Sequence, residues 1–300
     1  MSIITTVEAV PSRLYAIYSS LFDIENGEAK DRLETWATPP SLKNTTEDSG
    51  GSPTKLFVNS LVEARRIGLV EEIDDKLQLT ADARGGGKKG ERSEAYFRKY
   101  LLRTLFDPIR AEEIQQESFM LALTWLLSTN PLKPMSFSDD PNSAIKMTLG
   151  ENARKTECTI ALNYQNMLYW ARYLGFATVV GVGATRRVIP DPINAIDDAL
   201  PAIFADGNEL PVETFLARLA AIYPVFEKGS VWERFNAMRL MPLNGAETRL
   251  SATTSIALQR LADRQRLTMR SVADAPDRIL DFGVREDRVS HIGLRGVTDA

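Results

Sequence analysis

The 300-residue chain holds one histidine, His291, and one cysteine, Cys158. Nucleophilic catalysis therefore has little to work with. A Ser–His–Asp triad or a Cys–His pair needs histidine within hydrogen-bond reach of the nucleophile, and His291 falls in a polar C-terminal segment far from any nucleophile motif. Structural zinc usually takes four Cys and His ligands, more than the chain contains. Cys158, in KTECTIALNY, adjoins an apolar run and reads as a buried, inert thiol. Reactivity would need a cationic neighbour, and Lys155 is the one candidate nearby in sequence.

Phosphate chemistry fares no better. GGGKKGE at 85–91 departs from the G-x-x-x-x-G-K-[ST] loop, because Gly90 is followed by Glu91. It reads as a flexible basic loop. GVGATRR at 181–187 begins like G-x-G-x-x-G but has Arg186 in place of the last glycine, and it leads into a strand where a dinucleotide site would open a helix. The acidic pairs Glu71–Glu72, Asp74–Asp75, Asp139–Asp140 and Asp197–Asp198 read as solvated turn residues rather than Mg²⁺ ligands of a nuclease. The expectation is a chain without catalytic site, cofactor or metal.

What remains is binding chemistry. Lys55, Arg65, Arg66, Lys88, Lys89, Arg154, Lys155, Arg172, Arg186, Arg187, Arg260 and Arg264 are candidate phosphate contacts, and the amides of Gln165 and Asn166 are candidate readers of base edges. Arg266 and Arg270 cluster near Arg264. Tyr164, Tyr169, Trp170 and Tyr173 crowd one segment; their helical spacing reads as packing more readily than as a base-stacking platform.

The elements that would position these residues repeat. NSLVEARRIGL (59–69) matches NMLYWARYLGF (166–176) at five of eleven positions, Asn59, Leu61, Ala64, Arg65 and Gly68 aligning with Asn166, Leu168, Ala171, Arg172 and Gly175. Each segment has the period of an amphipathic helix and closes on glycine. LVEEIDDKLQLT follows the first and FATVVGVGATRRVIP the second, each a strand, a turn and a strand. Helix, glycine and hairpin form the closing half of a winged-helix domain, whose third helix enters the DNA major groove. The opening halves are Pro11–Phe22 with Glu28–Trp36, and 117–129 with Thr148–Lys155. Pro39, Pro40 and Asn44–Ser52 form a loop, and a helix over Ser93–Phe106 joins the two units.

A third unit is expected from helices at 210–226, 231–239 and 255–267 and a hairpin at 268–282, although no glycine closes its last helix. The expected fold is mainly α, with tandem winged-helix units carrying small β-hairpin wings. The expected divisions are 1–92, 93–192, with a linker helix and the second unit, and 193–300, with the third unit and a charged tail disordered in part beyond Phe282.

Composition fits this picture. A hydrophobic fraction of 44% and a charged fraction of 25% are those of globular proteins. The formal charge of −4 is unlike that of a dedicated non-specific DNA binder, though a local basic face is compatible with it. One cysteine fits a reducing compartment. No apolar run reaches membrane-spanning length and MSIITTVEAVPSRLYAIYSS lacks a basic stretch before an apolar one, so a cytoplasmic location is expected.

MSIITTVEAVPSRLYAIYSSLFD, together with NSLVEARRIGLVE, resembles the DpdG family. That is the G component of the bacterial Dpd cluster, which places 7-deazaguanine derivatives in DNA and restricts DNA lacking them. The resemblance implies an accessory protein of restriction and phage defence, acting with other proteins of its operon, among them helicase and nuclease subunits. It brings no catalytic motif. Two readings of the winged helices remain: contact with double-stranded DNA, or adaptors that assemble protein partners without touching DNA. The wing VEEIDDK is acidic and would repel phosphate.

Overall fold

The computed structural model describes residues 2–38, 55–85, 93–242, 245 and 247–295. Its contacts divide the chain into two compact units, Met1–Gln116 and Glu117–Ala300. Both are mainly helical, with small antiparallel sheets.

In the first unit, α1 (Pro11–Leu21) starts on a proline, whose fixed φ suits the first helical turn. α2 (Lys30–Ala37) and α3 (Lys55–Arg66) follow. α3 ends at Gly68, which takes φ +69. β1 (Val70–Ile73) and β2 (Lys76–Leu79) then form the expected hairpin, Val70 opposite Leu79, closed by Asp74 and Asp75, both at positive φ. Between α1 and α2, Glu28 exchanges backbone hydrogen bonds of 2.9 and 2.8 Å with Leu77. A third short extended segment thus lies beside the return strand of the hairpin.

α4 (Ala81–Arg84), α5 (Glu94–Phe106) and α6 (Pro108–Glu113) complete this unit. The helix expected to link two units, α5, packs within the first. Phe97 lies against Tyr18 and Tyr15, with ring centroids 5.0 and 5.5 Å apart, and the Tyr100 hydroxyl donates to the Ile67 carbonyl at 2.9 Å. Asp82 binds Arg103 and Arg110 at 2.6 Å each.

The second unit opens with α7 (Glu117–Leu127), whose residues from Phe119 to Leu127 are all buried. β3 (Met135–Ser136), α8 (Asn142–Leu149), a 3-10 turn (Gly150–Thr156) and α9 (Ala161–Tyr173) come next. β4 (Ala177–Val180) and β5 (Arg187–Pro190) follow the glycine at 175, which takes φ +89. The sheet order is β3-β5-β4. Again a short strand from between the first two helices pairs with the return strand of the hairpin.

The remainder departs from expectation. α10 (Ile193–Ile203) occupies a stretch for which no helix is expected, and it carries Asp197 and Asp198, expected as solvated turn residues. Its apolar residues Ile193, Ile196, Ala199, Leu200 and Ile203 are buried. β6 (Glu209–Pro211), α11 (Val212–Ile222), α12 (Ser230–Ala237) and α13 (Ala252–Asp263) follow. The buried Glu227 carboxylate accepts from the Ser251 amide at 2.8 Å and the Thr254 hydroxyl at 2.9 Å, which satisfies donors at the start of α13.

β7 (Leu267–Arg270) does not pair with β8 (Arg278–Asp281), as a hairpin over 268–282 would require. β8 pairs with β9 (Glu286–Val289), and β7 pairs with β10 (His291–Leu294) in a sheet of order β6-β10-β7. The segment beyond Phe282 is therefore strand-forming through Leu294, and His291 lies in a strand rather than a tail. The physical reason is apolar burial: Val289 and Ile292 are fully enclosed. Pro39, Pro40 and Asn44–Ser52 lie outside the described residues. Among the described residues no helix is long and apolar enough to cross a membrane.

Candidate nucleic-acid interface

α9 sorts its residues by helical phase. Tyr164, Met167, Leu168, Trp170 and Ala171 face inward and are buried. Leu162, Gln165, Tyr169 and Arg172, spaced three and four apart, form the outer edge, which is exposed except at the half-buried Gln165. Asn166 falls on the inward side at 2% exposure. Its amide is withdrawn from any base edge, and a polar side-chain type could not disclose that. Gln165 keeps to the rim and donates from Nε2 to the Ser138 carbonyl at 3.5 Å.

Ahead of α9, the 3-10 turn presents Arg154 and Lys155 to solvent. Lys155 Nζ lies 3.6 Å from the Met238 sulfur, and Asn152 donates to the Met238 carbonyl at 3.4 Å. Beyond α9, the turn between β4 and β5 is built by Gly181 (φ +83) and a short 3-10 turn, Gly183–Thr185. A Cβ on Gly181 would stand 2.8 Å from the Thr185 carbonyl oxygen, so the turn requires glycine there. Arg186 and Arg187 close it but behave differently. The Arg186 guanidinium lies 4.1 Å from the centre of the Phe137 ring, and its Nε donates to the Gly183 carbonyl at 3.2 Å. Arg187 is exposed.

Charge distinguishes this region. Residues 117–192 carry seven Lys and Arg against six Asp and Glu, within a chain of net charge −4. Among the described residues none of those seven, Lys133, Lys146, Arg154, Lys155, Arg172, Arg186 and Arg187, forms an ion pair. The acids of the region that do so, Glu117 and Asp191, pair with Arg234 and Arg260. Lys133 and Lys146 were not anticipated. Lys146 lies on α8, which begins earlier than the helical element read at Thr148.

The equivalent cations elsewhere are largely engaged. Lys55 lies 3.6 Å from Glu8, Arg65 pairs with Glu72, and Arg66 is held by Glu63 and the Ile114 carbonyl. Glu71, Glu72, Asp74 and Asp75 are all exposed around this hairpin. Arg260 binds Asp191 at 2.7 Å and Arg266 binds Asp197 at 2.8 Å. Arg270 meets Glu209 through two contacts of 2.6 Å, and these bonds hold the Glu209 carboxyl below its ordinary range. Arg264 is exposed at the end of α13. Lys88 and Lys89 lie outside the described residues.

Cys158 is fully buried, and burial pushes its thiol well up from the ordinary range. Among the described residues no three of His, Cys, Asp and Glu gather as a metal site would require.

A family model described as DpdG-like matches residues 1–275. The chain belongs to the DpdG-like family. No curated protein matches it. Among solved structures, the restriction endonuclease FokI is similar to this member of the family at 10% identity and a TM-score of 0.23, over 72% of this chain and 54% of that one. The chain thus spans about half the length of that protein, and a likeness of this size carries no argument about fold or chemistry.

Proposed function

We propose that the chain is a non-catalytic accessory protein of a Dpd-type DNA modification and restriction system, built from tandem winged-helix modules, and that its second module holds duplex DNA. Three segments support the winged-helix reading: 11–79, 117–190 and 193–294. Each runs helix, short extended segment, helices and a closing antiparallel strand pair, which in the third has β8 and β9 inserted between β7 and β10. In each the early extended segment lies beside the return strand (Glu28 on β2, β3 on β5, β6 on β10). In such modules the helix before the hairpin enters the major groove and the hairpin contacts the backbone. The helices in that place are α3, α9 and α13.

The observation that carries the DNA assignment is the set of seven cations in 117–192 outside any ion pair among the described residues. Phosphate binding needs cations whose charge is not already spent. Arg154, Lys155, Arg172 and Arg187 are exposed on α9 and on the turns before and after it. The first module favours a different role. Its matching arginine is paired with Glu72 and its hairpin is acidic, so it repels phosphate and serves as an adaptor toward other proteins of the operon.

Titration of a fluorescein-labelled 25-base-pair duplex at 50 and 200 mM salt tests the reading. Four phosphate contacts predict an affinity loss of roughly a hundredfold between the two conditions. Binding that ignores salt, or no binding at 50 mM, would remove DNA from the account and leave the adaptor role.

A further inference from the structure

Arg186 and Arg187 are neighbours in sequence, and both qualify by residue type as phosphate ligands. Their surroundings divide them. The Arg186 guanidinium is stacked on Phe137 at 4.1 Å, its Nε and its backbone amide both donate to the Gly183 carbonyl, at 3.2 and 3.4 Å, and its own carbonyl accepts from Phe137 N at 3.1 Å. Phe137, 1% exposed, meets Tyr169 of α9 edge-on with centroids 5.4 Å apart. Tyr164 of the same helix donates its hydroxyl to the Ser136 carbonyl at 3.1 Å. A continuous path therefore runs from the hairpin turn through Arg186, Phe137 and Tyr169 to the outer edge of α9. Arg187, by contrast, sends Nη1 to the Arg186 carbonyl, at 3.1 Å, and is exposed.

We propose that Arg186 is a positioning residue that clamps the hairpin turn to α9, while Arg187 is the phosphate contact it presents. The proposal rests on the DNA reading for its consequence but not for its geometry. The hairpin has a two-glycine turn, and Val182 at its tip is 81% exposed. Thr185 closes the tip on itself, its backbone N and Oγ1 donating to the Val182 carbonyl at 3.0 and 2.8 Å, but these bonds are internal to the turn. The Arg186 stack on Phe137 ties the turn to its surroundings, and without it Arg187 would spread over many positions and its contact would weaken through lost preorganisation. A planar guanidinium suits the clamp because it stacks on an aromatic face while its N–H groups remain in hydrogen bonds. Lysine keeps the charge but cannot reproduce the stack.

The test uses the full chain and three variants, Arg186→Lys, Arg186→Gln and Arg187→Gln, with amide hydrogen exchange read in the absence of DNA. The clamp predicts that both Arg186 variants speed exchange about five- to tenfold at Thr185 and Phe137, whose amides donate to the Val182 and Arg186 carbonyls, while Arg187→Gln leaves these amides unchanged. Unchanged exchange in the Arg186 variants overturns the proposal. Duplex titration adds the consequence. Arg186→Lys should weaken binding about as much as Arg186→Gln, and neither should weaken it further once Arg187 is glutamine. Full rescue by lysine, or additive losses, would make Arg186 a phosphate ligand and also overturn the clamp. Should no variant nor the wild type bind duplex, the DNA reading fails, and the exchange data still decide whether the clamp exists.

Discussion

Arg65, at the end of α3, forms an ion pair with Glu72 on the strand that follows it. Arg172 occupies the matching place in the second repeat, and the residue seven positions on is Val179. One substitution in the hairpin thus separates a neutralised arginine from an available one. Arg172→Ala is expected to weaken duplex binding by about tenfold and to lower the salt slope by about one unit. Arg65→Ala is expected to leave both unchanged. Equal losses at the two positions would show that the Glu72 pair does not silence Arg65.

The two glycines that close α3 and α9 look alike in sequence but sit in different surroundings. Both take positive φ, where any Cβ is strained. A Cβ on Gly68 would meet only the Tyr100 hydroxyl, at 3.7 Å; one on Gly175 would press on Asn194 Cβ at 3.0 Å and the Ala195 amide nitrogen at 3.1 Å. Gly68→Ala should cost about 1 kcal/mol and Gly175→Ala about 2 kcal/mol or more. Urea unfolding of the two variants checks this; equal shifts in midpoint would contradict it.

Several features were legible in the sequence for a physical reason. The N-x-L-x-x-A-R repeat, with its terminal glycine, marks α3 and α9 because helical phase and the glycine stop are local properties. Their hairpins are local too. α10 was missed because Pro201, the Asp197–Asp198 pair and the flanking prolines have the composition of a turn, whereas Ile193, Ile196, Leu200 and Ile203 keep helical spacing. β10 was missed because its partners are distant: Leu294 pairs with Leu267 and His291 with Pro211. In the candidate interface, residue type identified the cations but not their partners. Arg66 on Glu63, Arg260 on Asp191 and the inward Asn166 depend on tertiary neighbours that periodicity does not disclose.

Glu213 gives the second unit a pH dependence. Hydrogen bonds from Arg278, with Lys228 adding to them, lower its carboxyl from 4.5 to about 2. A depressed folded value means the stabilisation is present above the unfolded value and disappears as pH falls from about 4.5 toward about 2. Glu213→Gln should lower the thermal midpoint of the second unit at pH 7, and the gap to wild type should close as pH falls toward 2. A gap that persists there would contradict the linkage.

Cys158 is expected to resist thiol reagents while the second unit is folded, since the thiolate is the reactive form and burial pushes the thiol well up. Incubation with an aromatic disulfide reagent at pH 8 should modify almost none of it in buffer and all of it in concentrated urea. Rapid stoichiometric labelling of the folded protein would show that the segment around Cys158 opens readily.

The most direct test of the central claim, that the second module binds duplex through cations not engaged in ion pairs, is the salt slope of a four-site variant. Arg154→Gln, Lys155→Gln, Arg172→Gln and Arg187→Gln would be combined, with circular dichroism and the thermal midpoint confirming the fold. Duplex affinity would then be followed from 50 to 300 mM salt beside wild type. The account predicts that the magnitude of the slope of log K against log salt falls by about three to four units and that affinity at low salt falls at least a hundredfold. A wild-type slope retained by the variant would contradict it and move the binding face away from α9 and its hairpin.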